Sequence, residues 1–139
     1  MQIGEVISLV VLGAYAVLGA MTMLSPAWMA RIVRLVEDPD PGRPGGFSEF
    51  RATFGGLFMF SHMMTAALLL TVSQSEVNVL SVLVVLPLAA GWIGAAFGRT
   101  LSLLLDKQKN RGNGMIPVWI PMEFLSGLAI AAPILQFMG

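Results

Sequence analysis

The chain has 139 residues, no formal net charge, 56% hydrophobic side chains and only 12% charged ones, whereas a soluble domain carries about 25% charged residues. With a mean hydropathy of +0.80 it cannot cover a water-facing surface, so lipid is its main solvent. The neutral balance gives no electrostatic case for nucleic acid, and the absence of cysteine excludes disulfides, thiolate metal sites and thiol catalysis.

A membrane-crossing helix needs roughly 20 mostly apolar residues, and four stretches qualify: about 3–29, 50–72, 77–105 and 117–138. Their long unbroken runs lack the alternation of a barrel strand. The sequence predicts one all-α domain over residues 1–139, a bundle of four transmembrane helices.

In the first span no Lys or Arg precedes the apolar run, and Glu5 stands where a signal peptide has positive charge. The run is also too long for a signal core, which makes it a retained helix. Gly13, Ala16 and Ala20 place small residues along one strip, where another helix can approach closely. Ser25, Pro26 and Trp28 close the span, the indole suiting the membrane boundary. Beyond it, Arg31 and Arg34 among apolar neighbours suit an interfacial turn. Pro39, Pro41 and Pro44 then impose an extended connector. Its Glu37, Asp38 and Asp40 read as solvated, with a divalent cation site as the lesser alternative.

The second span opens at GFSEFRATFGGLFMFSHMM, with Ser48 as the expected N-cap. At α-helical spacing Arg51, Gly55, Phe58 and His62 share one face, and Glu49, Thr53 and Gly56 a neighbouring one. Gly55 and Gly56 let another backbone or a flat ligand come close. His62, the single histidine, falls about 16 Å beyond Arg51 at 1.5 Å per residue. The main reading for it is a hydrogen bond between helices; proton handling, ligand binding and axial ligation of haem or a metal are alternatives. One histidine without cysteine cannot close a metal site from protein ligands alone.

The third span carries Pro87 and then Gly91, Gly94 and Gly98, followed by Ser102. This is a helix-packing surface, used either inside the chain or between protomers. Arg99 follows the glycines, Asp106 lies two turns further on, and KQKNRGNG forms a polar loop. In the fourth span Pro117, Trp119 and Pro121 precede Glu123. Ser126, Gly127 and Ala131 share the face of Glu123, which turns that carboxylate toward the bundle. Pro133 is expected to kink the end of this helix.

All eight basic residues, Arg31, Arg34, Arg43, Arg51, Arg99, Lys107, Lys109 and Arg111, belong to the loops after spans one and three or to their borders. The positive-inside rule puts both loops in the cytoplasm and both termini outside. Arg51, Arg99 and Glu123 then lie at one depth, roughly 8–10 Å inside the cytoplasmic edge. An unpaired charge there costs on the order of several kcal/mol. Pairing of Arg51 and Arg99 with Glu49 and Glu123 is therefore expected. The result is either an ion-pair network that fixes helix register or a polar pocket for an anionic headgroup or small ligand, with His62 below.

The stretches FRATFGG (50–56) and GRTLSLLLD (98–106), with a Glu inside the last helix, resemble a bacterial family of small four-helix membrane proteins of unknown function. The resemblance spans nearly the whole chain. It implies the same fold and the same buried Arg/Glu set, and no activity. A fainter likeness is to membrane haem-dependent epoxide isomerases, in which an Arg-Ala opening the second span is followed directly by His. Here Thr53 stands in that place and His62 lies about 2.5 turns further on.

Three functional classes follow from these readings. One is a structural or accessory subunit that joins other membrane subunits or self-associates, using the glycine faces at Gly55, Gly56, Gly91, Gly94, Gly98 and Gly127. The second is a membrane enzyme or binder of a lipophilic ligand or cofactor, haem included, in a pocket of Glu49, Arg51, Arg99, Glu123 and His62. The third is a small proton-coupled transporter using Glu123; the charges at one edge and the lack of an inverted repeat weigh against it. The bilayer expected is a bacterial inner membrane. No P-loop, dinucleotide fingerprint, Ser-His-Asp set or metal motif occurs.

Overall fold

The computed structural model describes residues 1–33, 47–75, 78–105 and 116–138, with the side chain of Glu49 excepted. Every element among them is helical: α1 (Ile3–Leu24), α2 (Pro26–Val33), α3 (Phe47–Phe50), a π-helical segment (Arg51–Leu57), α4 (Phe58–Val72), α5 (Val79–Leu105), α6 (Ile116–Ile130) and a 3₁₀ segment (Ala132–Phe137). Three helical runs are long and apolar enough to cross a membrane, namely Ile3–Leu24, Arg51–Val72 and Val79–Leu105. The expected carboxylates of the connector, Glu37, Asp38 and Asp40, and Asp106 after α5, lie outside the described residues.

Two of the expected spans are interrupted, in both cases by proline. The run 3–29 is two helices. Ser25 N–H still reaches the Met21 carbonyl at 2.8 Å, but Pro26 has no N–H to continue the ladder and instead starts α2, where its fixed φ suits a first helical position. The run 117–138 likewise ends as an α-helix at Ile130. Ala131 N–H bonds Gly127 O at 3.0 Å, after which Pro133 removes a donor and Ile134 N–H turns to Ala131 O at 3.0 Å, the tighter 3₁₀ pattern. Pro87, by contrast, sits inside α5 without ending it.

The chain forms two compact units, one of residues 12–64 and one of residues 1–11 with 65–139, the boundaries falling within α1 and α4. In the first unit the later part of α1 runs antiparallel to the π segment and the start of α4. A Cβ on Gly19 would stand 2.6 Å from the Met59 backbone nitrogen, and one on Gly55 would stand 3.1 Å from that of Met23. Glycine is required at both points because backbone meets backbone. Ser48, expected as an N-cap, lies inside the first turn of α3. The π turn that follows widens the repeat, so the face drawn at α-helical spacing divides: Gly55 and His62 are buried, Phe58 is half-buried and Arg51 is exposed.

In the second unit α5 and α6 pack antiparallel. A Cβ on Gly127 would lie 2.9 Å from the Ala89 carbonyl oxygen and 2.7 Å from Ile93 Cγ1. The buried stripe of α5 is Ser81, Val82, Val85, Ala89, Trp92 and Ala96, and that of α6 is Glu123, Ser126, Gly127 and Ile130. Both follow the 3–4 residue repeat of a helix face. Gly4 meets the Ala132 carbonyl at the start of the 3₁₀ segment. Gly91, Gly94 and Gly98 fall on the opposite side of α5 and are exposed. A Cβ there would meet nothing within 4 Å among the described residues.

Gly127→Val should cost about 1–3 kcal/mol, because its branched side chain would have to displace backbone. Gly91→Ala should leave stability unchanged or raise it by up to about 1 kcal/mol, the helix-propensity difference. Denaturation in detergent, followed by circular dichroism, measures both; equal effects would show that the two glycines occupy similar surroundings.

Candidate functional site

Lipid supplies no hydrogen bonds, so each polar side chain in a span needs a partner within the protein. The hydroxyls solve this locally. Thr22, Thr71, Thr100 and Ser126 donate to the carbonyls of Leu18, Ala67, Ala96 and Met122 at 2.7–2.9 Å, each four residues back. Ser8 instead crosses to α6 and donates to Ile130 O at 2.9 Å, capping a last-turn carbonyl that the helix leaves open.

The charged groups need more. Arg99 stands on the buried stripe of α5, seven residues after Trp92, and Glu123 heads that of α6. Arg99 Nε donates to Glu123 Oε1 at 2.6 Å, and the guanidinium carbon lies 5.9 Å from the centre of the Trp119 ring, within cation–π range. The pair is unequal in exposure: the Arg99 side chain is 36% accessible and that of Glu123 only 6%. Glu123 Oε2 is buried with no hydrogen-bond partner among the described residues.

Arg51 and His62 belong to the other unit and have partners of their own there. Arg51 Nη1 donates to the carbonyl of Met23, in the last turn of α1, where a cation meets both an open acceptor and the negative end of the helix dipole. The expected pairing of Arg51 with Glu49 falls on a side chain outside the described residues. His62 is 1% exposed. Its Nδ1 lies 2.6 Å from the Phe58 carbonyl, so this nitrogen carries the proton it donates. The imidazole is flanked by the rings of Phe58 at 4.4 Å and Tyr15 at 5.5 Å between centroids. This is the arrangement of an interior histidine bonded to its own helix. Of the five expected pocket residues, Arg51 and His62 belong to one unit and Arg99 and Glu123 to the other, while the Glu49 side chain lies outside the described residues. Of the glycines grouped with them, Gly55 and Gly127 sit at close helix approaches. Gly56 is nearest the Arg51 carbonyl of its own segment, and Gly91, Gly94 and Gly98 face open space.

A further buried carboxylate, Glu5, is not among the expected site residues. It is 4% exposed and accepts from the backbone N–H of Gln2 at 2.7 Å and from Ser81 Oγ at 2.6 Å. The first bond is one half of a capping box, an acidic third residue reaching back to the helix start. The second comes from the first turn of α5, so two helix N-termini converge on one carboxylate. The network continues through Asn78, whose carbonyl accepts from Ser81 N–H at 3.3 Å and from Gln136 Nε2 at 2.9 Å. The available signal was the Gln-Ile-Gly-Glu spacing, weak because Gln is a poor N-cap. No group of three or more His, Cys, Asp or Glu gathers among the described residues to hold a metal.

Comparison with known protein families, characterised proteins and solved structures returns no match to this chain. Among the described residues the protein is all-helical, with three helices long and apolar enough to span a membrane.

Removing one member of the α5–α6 pair should be asymmetric. Arg99→Ala strands the buried carboxylate and should cost about 3–5 kcal/mol. Glu123→Ala leaves a part-exposed guanidinium that water and lipid headgroups can reach, and should cost less, about 2 kcal/mol. The double variant should cost less than the sum. Additive losses in a double-mutant cycle would show that the two side chains act independently.

Proposed function

We propose that the protein is a small accessory subunit of a bacterial inner membrane, with four spans and both termini outside, that docks to another membrane helix through the outer face of α5. The observation that carries this reading is how the chain uses its glycines. Gly4, Gly19, Gly55 and Gly127 each lie where a Cβ would collide with a neighbouring segment, whereas Gly91, Gly94 and Gly98 meet nothing among the described residues. In lipid, an exposed glycine gives up both side-chain contact and helix propensity. A row of three at helical spacing is the groove in which a second helix packs closely. The partner is another subunit or a second copy of this chain.

The fourth span rests on α6 together with the 3₁₀ segment. Fifteen α-helical residues rise about 22 Å, and six 3₁₀ residues add about 12 Å, enough to reach across roughly 30 Å of hydrocarbon. The clustering of all Lys and Arg around two of the loops supports the orientation, and the likeness to bacterial four-helix membrane proteins supports the setting.

The natural lack of cysteine makes both parts testable. With single substitutions, a membrane-impermeant maleimide applied to intact cells should label Ser75→Cys and leave Asn110→Cys unlabelled; the reverse pattern would overturn the orientation. Gly94→Ile and Gly98→Ile should reduce cross-linked complexes at least tenfold in native membranes while leaving the melting temperature of the purified protein within about 2 °C. Unchanged cross-linking would remove the docking face.

A further inference from the structure

The two buried carboxylates of the α5–α6 unit differ in one respect. Both oxygens of Glu5 accept hydrogen bonds, from Gln2 N–H and Ser81 Oγ. Glu123 has one oxygen on Arg99 and one buried with no partner among the described residues. A charged acceptor left in this way is costly unless something fills it. Its cation is incompletely used as well. Arg99 meets Glu123 through Nε, by a single side-on bond rather than by the two-pronged fork that guanidinium and carboxylate normally form. Among the described residues no acceptor takes Nη1 or Nη2.

We propose that Arg99 and Glu123 form a headgroup site for a membrane phospholipid whose phosphodiester is accompanied by an N–H or O–H donor, the ethanolamine or glycerol type. The Nη groups of Arg99 supply paired donors suited to phosphate oxygens. The headgroup's own donor, a few atoms from its phosphate, answers Glu123 Oε2. The last torsion of a glutamate is soft, so a turn of the carboxylate presents that oxygen to the open side of Arg99.

Position along the helices agrees with this chemistry. Arg99 is six residues, about 9 Å, before the end of α5 at Leu105, and Glu123 is seven residues, about 10 Å, after the start of α6 at Ile116. An arginine at that depth reaches the phosphate layer by extending its stem. Trp119, whose ring borders the guanidinium, is the residue type that marks that layer. The inference is independent of the glycine face, which lies on the other side of α5.

The test is lipid titration of the full chain in detergent, read by native mass spectrometry, with ethanolamine, glycerol and choline phospholipids of identical acyl chains. Choline keeps the phosphate and the positive charge but has no donor. The ethanolamine and glycerol lipids should bind about tenfold more tightly than choline, the contribution of one hydrogen bond to a charged group. Arg99→Gln should weaken all three. Glu123→Gln should remove the ethanolamine-over-choline preference while phosphate binding persists. Equal affinity of the wild-type protein for ethanolamine and choline lipids would overturn the proposal, and this comparison stands even where a variant fails to fold. Discrimination surviving in Glu123→Gln would overturn it too. Displacement of bound lipid by millimolar soluble phosphoethanolamine would overturn the assignment to a lipid and point to a free phosphate ester.

Discussion

A hydrocarbon solvent offers nothing to a polar group, and this constraint explains more of the molecule than any single contact. Each threonine or serine hydroxyl in a span must find an acceptor. The cheapest is the carbonyl one turn back, which Thr22, Thr71, Thr100 and Ser126 all use. Helix ends are harder, because their backbone groups have no intrahelical partners. Ser8 serves the end of α6, Arg51 serves the end of α1, and Glu5 serves the start of α1 while taking a bond from the start of α5. Polar side chains are scarce in this chain, and several of those present are spent on completing the backbone.

The same solvent changes how helices attract. Leucine gains little by leaving lipid for a protein interior, so association depends on close contact and dispersion. Glycine becomes a structural residue for that reason. At Gly19 and Gly127 the neighbouring backbone comes within 2.6 and 2.9 Å of where a Cβ would be, approaches that any larger residue would prevent. The large apolar side chains point outward instead, as Leu57, Phe60, Leu83 and Phe97 do. A soluble protein with this distribution would aggregate; in a bilayer these side chains are the solvated surface.

Much of this could be read from the sequence where the physics is one of cost. A charge inside an apolar run is expensive, and that consideration singled out Arg51 and Arg99 with Glu49 and Glu123; of these, Arg99 and Glu123 lie 2.6 Å apart, while Arg51 bonds the Met23 carbonyl. The apolar runs marked the three long helices within a few residues. Legibility fails where the physics is one of local geometry. A face drawn with 3.6 residues per turn cannot foresee the π-helical turn at Arg51–Leu57, which alters the register of everything before it. Pro26 and Pro133 stand where α-helices end while Pro87 lies inside one, a difference that residue type alone does not announce. Small-residue spacing identified glycines but not their use: Gly127 packs and Gly94 does not, and both read alike in sequence. Glu5 was seen only as an absence of positive charge, because its role comes from Ser81, 76 residues away.

The two carboxylates show why burial alone does not mark a functional group. Glu5 and Glu123 are 4% and 5% exposed, and each sits near one end of the unit formed by residues 1–11 and 65–139. Glu5 has no cation among the described residues and does not need one. Two hydrogen bonds and two helix N-termini stabilise its charge, and every partner is fixed by backbone or by a short serine side chain. Among the described residues Glu123 depends on one long, part-exposed arginine, and its second oxygen has no partner. The first arrangement is closed and rigid, which suits a structural junction between α1 and α5. The second pairs a part-exposed cation with an acceptor that has no partner among the described residues, which is the observation from which the headgroup site is proposed.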